Sequence, residues 1–392
     1  MRRFALPLAF LLAAWAGFFA GRSWTRFATD APVRSFEEVP IGGLATPATI
    51  DLPTLPDAPV RNLVLAVVDG LGIAELAAAR IRAFGPDGRF VFERLPAVGL
   101  VVTHPAGRLV GKSDSSANAL AAGVRTEIGK IGLADDGTPL ETLLDRAVAA
   151  GLATGIVTTS EVYDATPAAF YAHVEKRRDY AAIVRQLAAA PLDLVAGGGV
   201  ERFDGALLAA ARERGVEVAL TTVQLAAAAR LPLWALFPGK RLGEKPAHPT
   251  LDEMTAKALD LLATEGERRG TGFFLLLEEE GTDTAGHAND VERLVAAALR
   301  FDAALARAAR FAAADGRTLV VVVADHATGG AVIDDGDAPG TLRVTWTTGD
   351  HSGEPVALFA YGPESAQRAL GGQLDQPELG RRLAALVGAG AR

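Results

Sequence analysis

The stretch "NLVLAVVDGLG", residues 62–72, fixes how the rest of the chain is read. Residues 63–68 are an unbroken apolar run of strand length, the pattern of a strand buried on both faces. The run stops at Asp69, followed by Gly70 and Gly72, so a carboxylate stands where a strand turns. Further strands are expected at 154–159, 192–196, 216–220, 272–277, 319–324 and 355–360. Ala- and Leu-rich helical stretches separate them, such as 140–150, 180–190 and 291–314. Strands alternating with helices predict an α/β fold, a three-layer sandwich around a mainly parallel central sheet.

The bulk composition agrees. Hydrophobic residues make up 49% of the 392 residues and charged residues 22%, enough to bury a large core. The net charge of −8 argues against general nucleic-acid binding, though a local site can still be positive. Cysteine is absent, so disulfides, thiolate metal sites and a cysteine nucleophile are excluded. Any metal has to be held by histidine and oxygen ligands.

Arg2 and Arg3 precede an apolar stretch over 4–20. A basic start before such a run reads as an export signal, and residues 1–26 are assigned to a signal peptide or N-terminal anchor. The small-x-small cleavage pattern is poor, which keeps membrane anchoring through 4–20 open; that length is at the short end for a bilayer span. Export to the periplasm or the extracellular space is the expectation. Residues 27–59, rich in Pro, Thr, Asp and Gly, read as a linker or arm with little regular structure. The globular domain is placed at 60–392. Within it, 203–251 reads as an insertion that caps the site, with Trp234, Phe237 and Lys240 as substrate contacts, a small core or a dimer contact.

In open α/β sheets, functional groups collect beyond the carboxyl ends of strands. Three strand candidates end in such groups: one at Asp69, one at Glu278, one at Asp325 and His326. In "EEEGTDTAGHAND", 278–290, Asp283 and His287 stand four apart, on one face of a helix, a spacing that suits zinc. In "VVVVADHATGG", 320–330, an acid and an imidazole close a strongly apolar run, where a charge is costly unless paired or metal-bound. In "TTGDHSGEPVALFAYGP", 347–363, His351 lies in a loop just before a strand.

These segments, in this order, resemble the metal-binding segments of alkaline phosphatases. The likeness extends to "GKSDSSANALAAGVRT", 111–126, and "DATPAAFYAHVEKR", 164–177, and covers roughly residues 60–388. The resemblance implies hydrolysis of small-molecule phosphate monoesters and a site of two Zn2+ and one Mg2+. Asp283, His287 and His351 would hold one zinc; Asp325, His326 and Asp69 the other. Asp69 would bridge to magnesium, with Thr166 and Glu278. Arg177 would clamp the phosphate through its planar fork. A homodimer is also implied.

The nucleophile has three candidates. Counting ten residues back from Gly123, as the family pattern requires, lands on Ser113. That register puts Lys112 where the family has Asp. Ser115 keeps the family's Asp–Ser pair, but it deletes two residues from the helix, a rotation of roughly 200°. Ser116 is a third choice. Two departures stand out: Thr284 follows Asp283 where many relatives have Lys or His, and Lys112 is an unfamiliar cation near the nucleophile, either holding phosphate and slowing its release or pointing away into solvent. The rival readings are a phosphodiesterase of the same superfamily and a phosphate- or metal-binding relative without turnover. A sulfatase is disfavoured by the missing C/S-x-P-x-R segment.

Overall fold

The computed structural model describes residues 35–389. The signal or anchor read at 1–26 lies outside the described residues, as does the start of the expected arm, 27–34. Among the described residues no helix is long and apolar enough to cross a membrane.

Among the described residues, ten strands form the central sheet. From edge to edge they are Gly372–Asp375, Ala97–Val102, Val356–Tyr361, Thr318–Val323, Asn62–Val68, Phe273–Glu279, Ala153–Glu161, Leu194–Gly198, Leu233–Leu236 and Glu217–Ala219. Asn62–Val68 lies in the interior, flanked in parallel by Thr318–Val323 and Phe273–Glu279. Every residue of these three strands is buried. Each large apolar side chain so buried stabilises the fold by about 1.5–3 kcal/mol. Runs without alternation need cover on both faces, and two groups of helices supply it. Ile73–Phe84, Leu251–Arg269 and Val291–Asp315 form one contiguous group; Ser113–Ala122, Leu143–Ala149 and Gln376–Leu386 form the other. The fold is the α/β class expected, with a mostly parallel sheet.

The structure adds detail at four points. Val356–Tyr361 runs antiparallel to both its neighbours, Ala97–Val102 and Thr318–Val323. Within the expected arm one segment is regular: Ser35–Pro40 pairs with Thr341–Trp346 in a separate three-stranded sheet. Glu37 in that strand accepts hydrogen bonds from the Val291 N–H (2.7 Å) and the Trp346 indole (3.4 Å), which fasten the strand to the domain. Residues 203–251 are not a separate cap, because Glu217–Ala219 and Leu233–Leu236 extend the central sheet in parallel. Trp234 and Phe237 are accordingly core residues, and Lys240 is exposed. Finally, Ala97–Val102 was not anticipated. Its buried and exposed residues alternate, with Val98 and Leu100 facing outward, so it lacks the continuous signature of the interior strands.

The turn after Asn62–Val68 is built on Gly70, whose φ of 71° is readily adopted only by glycine. A Cβ there would stand 2.7 Å from Cα of Asp283, so the bare backbone also lets two segments meet. Gly70→Ala should therefore lower the unfolding free energy by about 1–3 kcal/mol, measured by denaturant titration. An unchanged midpoint would show that the turn does not carry this constraint.

Candidate metal centre

The parallel strands Asn62–Val68, Phe273–Glu279 and Thr318–Val323 are neighbours, so Asp69, Glu278 and Asp325–His326 reach the same edge of the sheet. Glu278 lies within its strand rather than after it, in register with Val67. His351 comes to this edge because its strand runs the other way: the residues before Val356 lie where the parallel strands end. A short pairing of His351–Ser352 with Ala327–Thr328 fixes its place. Asp283 and His287 share the helix Gly281–Ala288, directly after the Phe273–Glu279 strand.

Two clusters result, each with ligand atoms mutually close enough for one cation: Asp283, His287 and His351; and Asp69, Asp325 and His326. In the first, His287 Nε2 is 3.3 Å from Asp283 Oδ2 and 3.2 Å from His351 Nε2, and His351 Nε2 is 3.7 Å from Asp283 Oδ1. In the second, His326 Nε2 is 3.2 Å from Asp325 Oδ2 and 3.5 Å from Asp69 Oδ1. The rings of His326 and His351 stack at 3.7 Å between centroids, which joins the clusters.

Hydrogen bonds behind the imidazoles orient them. His287 Nδ1–H donates to the Gly349 carbonyl (2.9 Å) and His351 Nδ1–H to that of Gly111 (2.8 Å). The Thr328 hydroxyl donates to Asp283 Oδ1 (2.5 Å) and so accepts from His326 Nδ1–H (3.2 Å). All three rings thus turn Nε2 inward, the arrangement of metal-ligating histidines.

The electrostatics fit cations. Burial, then the charges of Asp325, Asp283 and Glu278, hold Asp69 well above the usual carboxylate range. Burial pushes Asp325 up to about 6 and Glu278 up to about 8. Burial lowers His326 and His351 to about 4, so both imidazoles are neutral. Burial also opposes ionisation of Asp283, but its bond to His287 and the nearby imidazoles hold it below the ordinary value. The same bond raises His287 to about 9, so a bound cation would have to displace that proton. Asp69 Oδ1, Asp325 Oδ2 and Thr166 Oγ1 are buried without a hydrogen-bond partner. Buried oxygens left bare beside neutral imidazole nitrogens suit zinc, and the all-oxygen set of Asp69, Thr166 and Glu278 suits magnesium.

Ser113 is the first residue of the helix Ser113–Ala122, and its hydroxyl lies 3.4 Å from His326 Nε2. The helix ends at Gly123 with φ 68°, which explains a glycine ten residues on. Ser115 points elsewhere: its hydroxyl accepts from Lys112 N–H (3.3 Å) and donates to the Lys112 carbonyl (3.0 Å). Ser116 is fully buried. Arg177 stands between Asp114 (3.5 Å) and Asp164 (3.4 Å). Thr284 donates to Glu280 Oε1 (2.6 Å).

The structure adds residues the sequence reading passed over. Thr158 donates to Glu278 Oε2 (2.5 Å), and Thr328 links both clusters. Asp114 accepts from the N–H groups of Ser115 (2.7 Å) and Gly129 (3.0 Å) as well as facing Arg177. Thr158 sits in the polar close of an otherwise apolar strand, a signal that was present. Thr328 and Asp114 carry none, since their partners come from distant segments.

A family model described as "Alkaline phosphatase" matches residues 60–205 and 237–345. The unmatched stretch between them, 206–236, is the part that adds the last two strands of the sheet. The chain is 31% identical to the alkaline phosphatase of Escherichia fergusonii, over 86% of this chain and 87% of that one. It is 34% identical to the streptomycin-6-phosphate phosphatase of Streptomyces griseus, over 84% and 91%. The crystal structure of a cold-active alkaline phosphatase from Shewanella sp. superposes with a TM-score of 0.77 at 27% identity, covering 83% of this chain and 99% of that one.

A pH consequence follows from the raised carboxyl groups. Protonated Asp325 and Glu278 favour the folded state in full below about pH 4; that stability is lost as pH rises through about 6 and then about 8. Divalent cations held there would restore it by pairing the carboxylates. In scanning calorimetry, the Tm gain on adding Zn2+ and Mg2+ to chelator-stripped protein should be about 5 °C or more at pH 8 and shrink toward pH 5. A gain independent of pH would contradict this electrostatic reading.

Proposed function

The chain belongs to the alkaline phosphatase family, and on that premise we propose that Ser113 is its nucleophile and that its clustered acids and imidazoles hold two zinc ions and one magnesium ion. The reaction class is hydrolysis of phosphate monoesters. Asp283, His287 and His351 would hold one zinc, Asp325, His326 and Asp69 the other, and Asp69, Thr166 and Glu278 the magnesium. When bound, these cations supply positive charge that lowers the pKa of the nucleophile and of the attacking water and neutralises the phosphoryl oxygens.

The observation that carries the choice of Ser113 is its hydroxyl, 3.4 Å from His326 Nε2 at the start of a helix. Backbone N–H groups at that helix end favour an anionic phosphate. Ser113 Oγ attacks phosphorus, the ester oxygen leaves and takes a proton, and phosphoserine forms. Water then attacks phosphorus in line, releasing inorganic phosphate and returning the proton to Ser113. Arg177 presents its guanidinium to two phosphoryl oxygens, and it keeps its charge because Asp164 and Asp114 more than offset its burial. A diester would have esterified one of the oxygens Arg177 binds, which favours the monoester over the diester. Binding centred on the phosphate leaves leaving-group specificity broad. The basic-then-apolar N-terminus supports export of the protein.

Ser113→Ala should lower kcat on p-nitrophenyl phosphate by about a thousandfold or more, whereas Ser115→Ala should cost only cap stability, about 0.5–2 kcal/mol. Acid-quenched wild-type protein should yield a phosphopeptide modified at Ser113. Phosphate on Ser115, with turnover surviving in Ser113→Ala, would reverse the assignment. Arg177→Ala should cut kcat/KM by about a hundredfold or more and narrow the preference for p-nitrophenyl phosphate over its bis-ester. Equal losses on both esters would remove the argument for Arg177 as the monoester determinant.

A further inference from the structure

Lys112, immediately before Ser113, has no role in the mechanism above. Its ammonium lies 3.0 Å from Asp350 Oδ1. The same oxygen accepts the His351 N–H at 2.9 Å. Asp350 therefore ties the start of the serine helix to the loop that carries His351. A second tie between the same segments, His351 Nδ1 to the Gly111 carbonyl, needs no charge and does not depend on Lys112.

The pair is built to open. Its side chains are 38% and 63% exposed. Ion pairs in such settings contribute little, because water screens them. Lysine is a point charge on a flexible four-carbon stem, unlike the fixed fork of arginine. The two charges also overlook the metal clusters: that of Lys112 is felt at His326, and that of Asp350 at His287. Arg177, by contrast, is braced by two acids, one of them fully buried. A phosphate dianion arriving at Ser113 thus meets one fixed cation and one held only by an exposed carboxylate. The dianion offers the ammonium more charge and more acceptor oxygens than Asp350 does.

We propose that Lys112 is an exchangeable phosphate clamp, paired with Asp350 in the free enzyme and turned onto the phosphoryl group when substrate or product phosphate occupies the site beside Ser113. Released Asp350 keeps its bond to His351 N–H, so the metal cluster is undisturbed by the exchange. Product phosphate is then held by two cationic side chains, and its release is slowed. This inference rests on the phosphomonoesterase reading and names a further binding residue within it.

The test is calorimetric titration of inorganic phosphate into zinc- and magnesium-replete protein. Wild type, Lys112→Met, Asp350→Asn and the double variant are compared. The amide oxygen of Asn can still accept from His351 N–H, which preserves that bond. Lys112→Met should weaken phosphate binding by about five- to thirtyfold. Asp350→Asn should tighten it by about two- to fivefold, because Lys112 is freed in advance. The double variant should match Lys112→Met. Unchanged affinity in Lys112→Met would overturn the clamp, as would single variants that both weaken binding by the same factor, the behaviour of a purely structural pair. If none of the four proteins binds phosphate while their metals are retained, the phosphomonoesterase reading itself falls, and the clamp with it.

Discussion

Four buried carboxyl groups, Asp69, Glu278, Asp283 and Asp325, converge with three imidazoles at one edge of the sheet. Removed from water and close to like charges, Asp69, Glu278 and Asp325 resist ionisation, whereas Asp283 stays ionised beside His287. Among the described residues no Lys or Arg lies inside the clusters: protonated His287 offsets Asp283 alone, and Arg177 is already engaged by Asp114 and Asp164. Two answers exist: keep protons on the acids, or bring in cations. The rest of the site is arranged for the second. The Nδ1–H groups are turned outward to carbonyls and a hydroxyl, so that the Nε2 atoms face the acids. Gly70 lets the Asp69 turn approach the helix bearing Asp283, and the backbone N–H of Gly70 donates to Asp325.

How much of this could be read from the sequence depends on how each residue is delivered. Asp69, Glu278, Asp325 and His326 close continuous apolar runs, and the rule that functional groups lie beyond parallel strand ends finds them. Asp283 and His287 share a helical face, so their local spacing suffices. His351 is different. Its arrival depends on an antiparallel strand in a mostly parallel sheet, and direction is not encoded in the strand's own apolar pattern. Only family resemblance pointed to it. The edge strands are hardest: Ala97–Val102 is half exposed, and Leu233–Leu236 is only four residues long and lies inside a stretch that reads as an insertion. Trp234 packs against Phe203 instead, at the margin of the main sheet.

The serine loop shows how a local exchange of charge can be absorbed. Where the resemblance leads one to expect an acid before the nucleophile, the chain has Lys112–Ser113–Asp114. Asp114, one step further along the helix, is wholly buried and faces Arg177, while accepting from the Gly129 N–H; Gly129 in turn accepts from Arg177 N–H. A closed set of contacts thus links the serine helix to both the backbone and the side chain of Arg177. The lysine is turned outward to the His351 loop. The Asp–Ser dipeptide that argued for Ser115 is explained by this bracing role for Asp114, and Ser115 by its place in the helix cap.

The central claim is that the two histidine–carboxylate groups are neighbouring cation sites. Anomalous diffraction at the zinc edge from crystals of the zinc-replete protein tests it most directly. Two strong peaks should be found, one among Asp283, His287 and His351, the other among Asp69, Asp325 and His326. Zinc bound elsewhere on the chain, with both groups bare at saturating metal, would contradict the account.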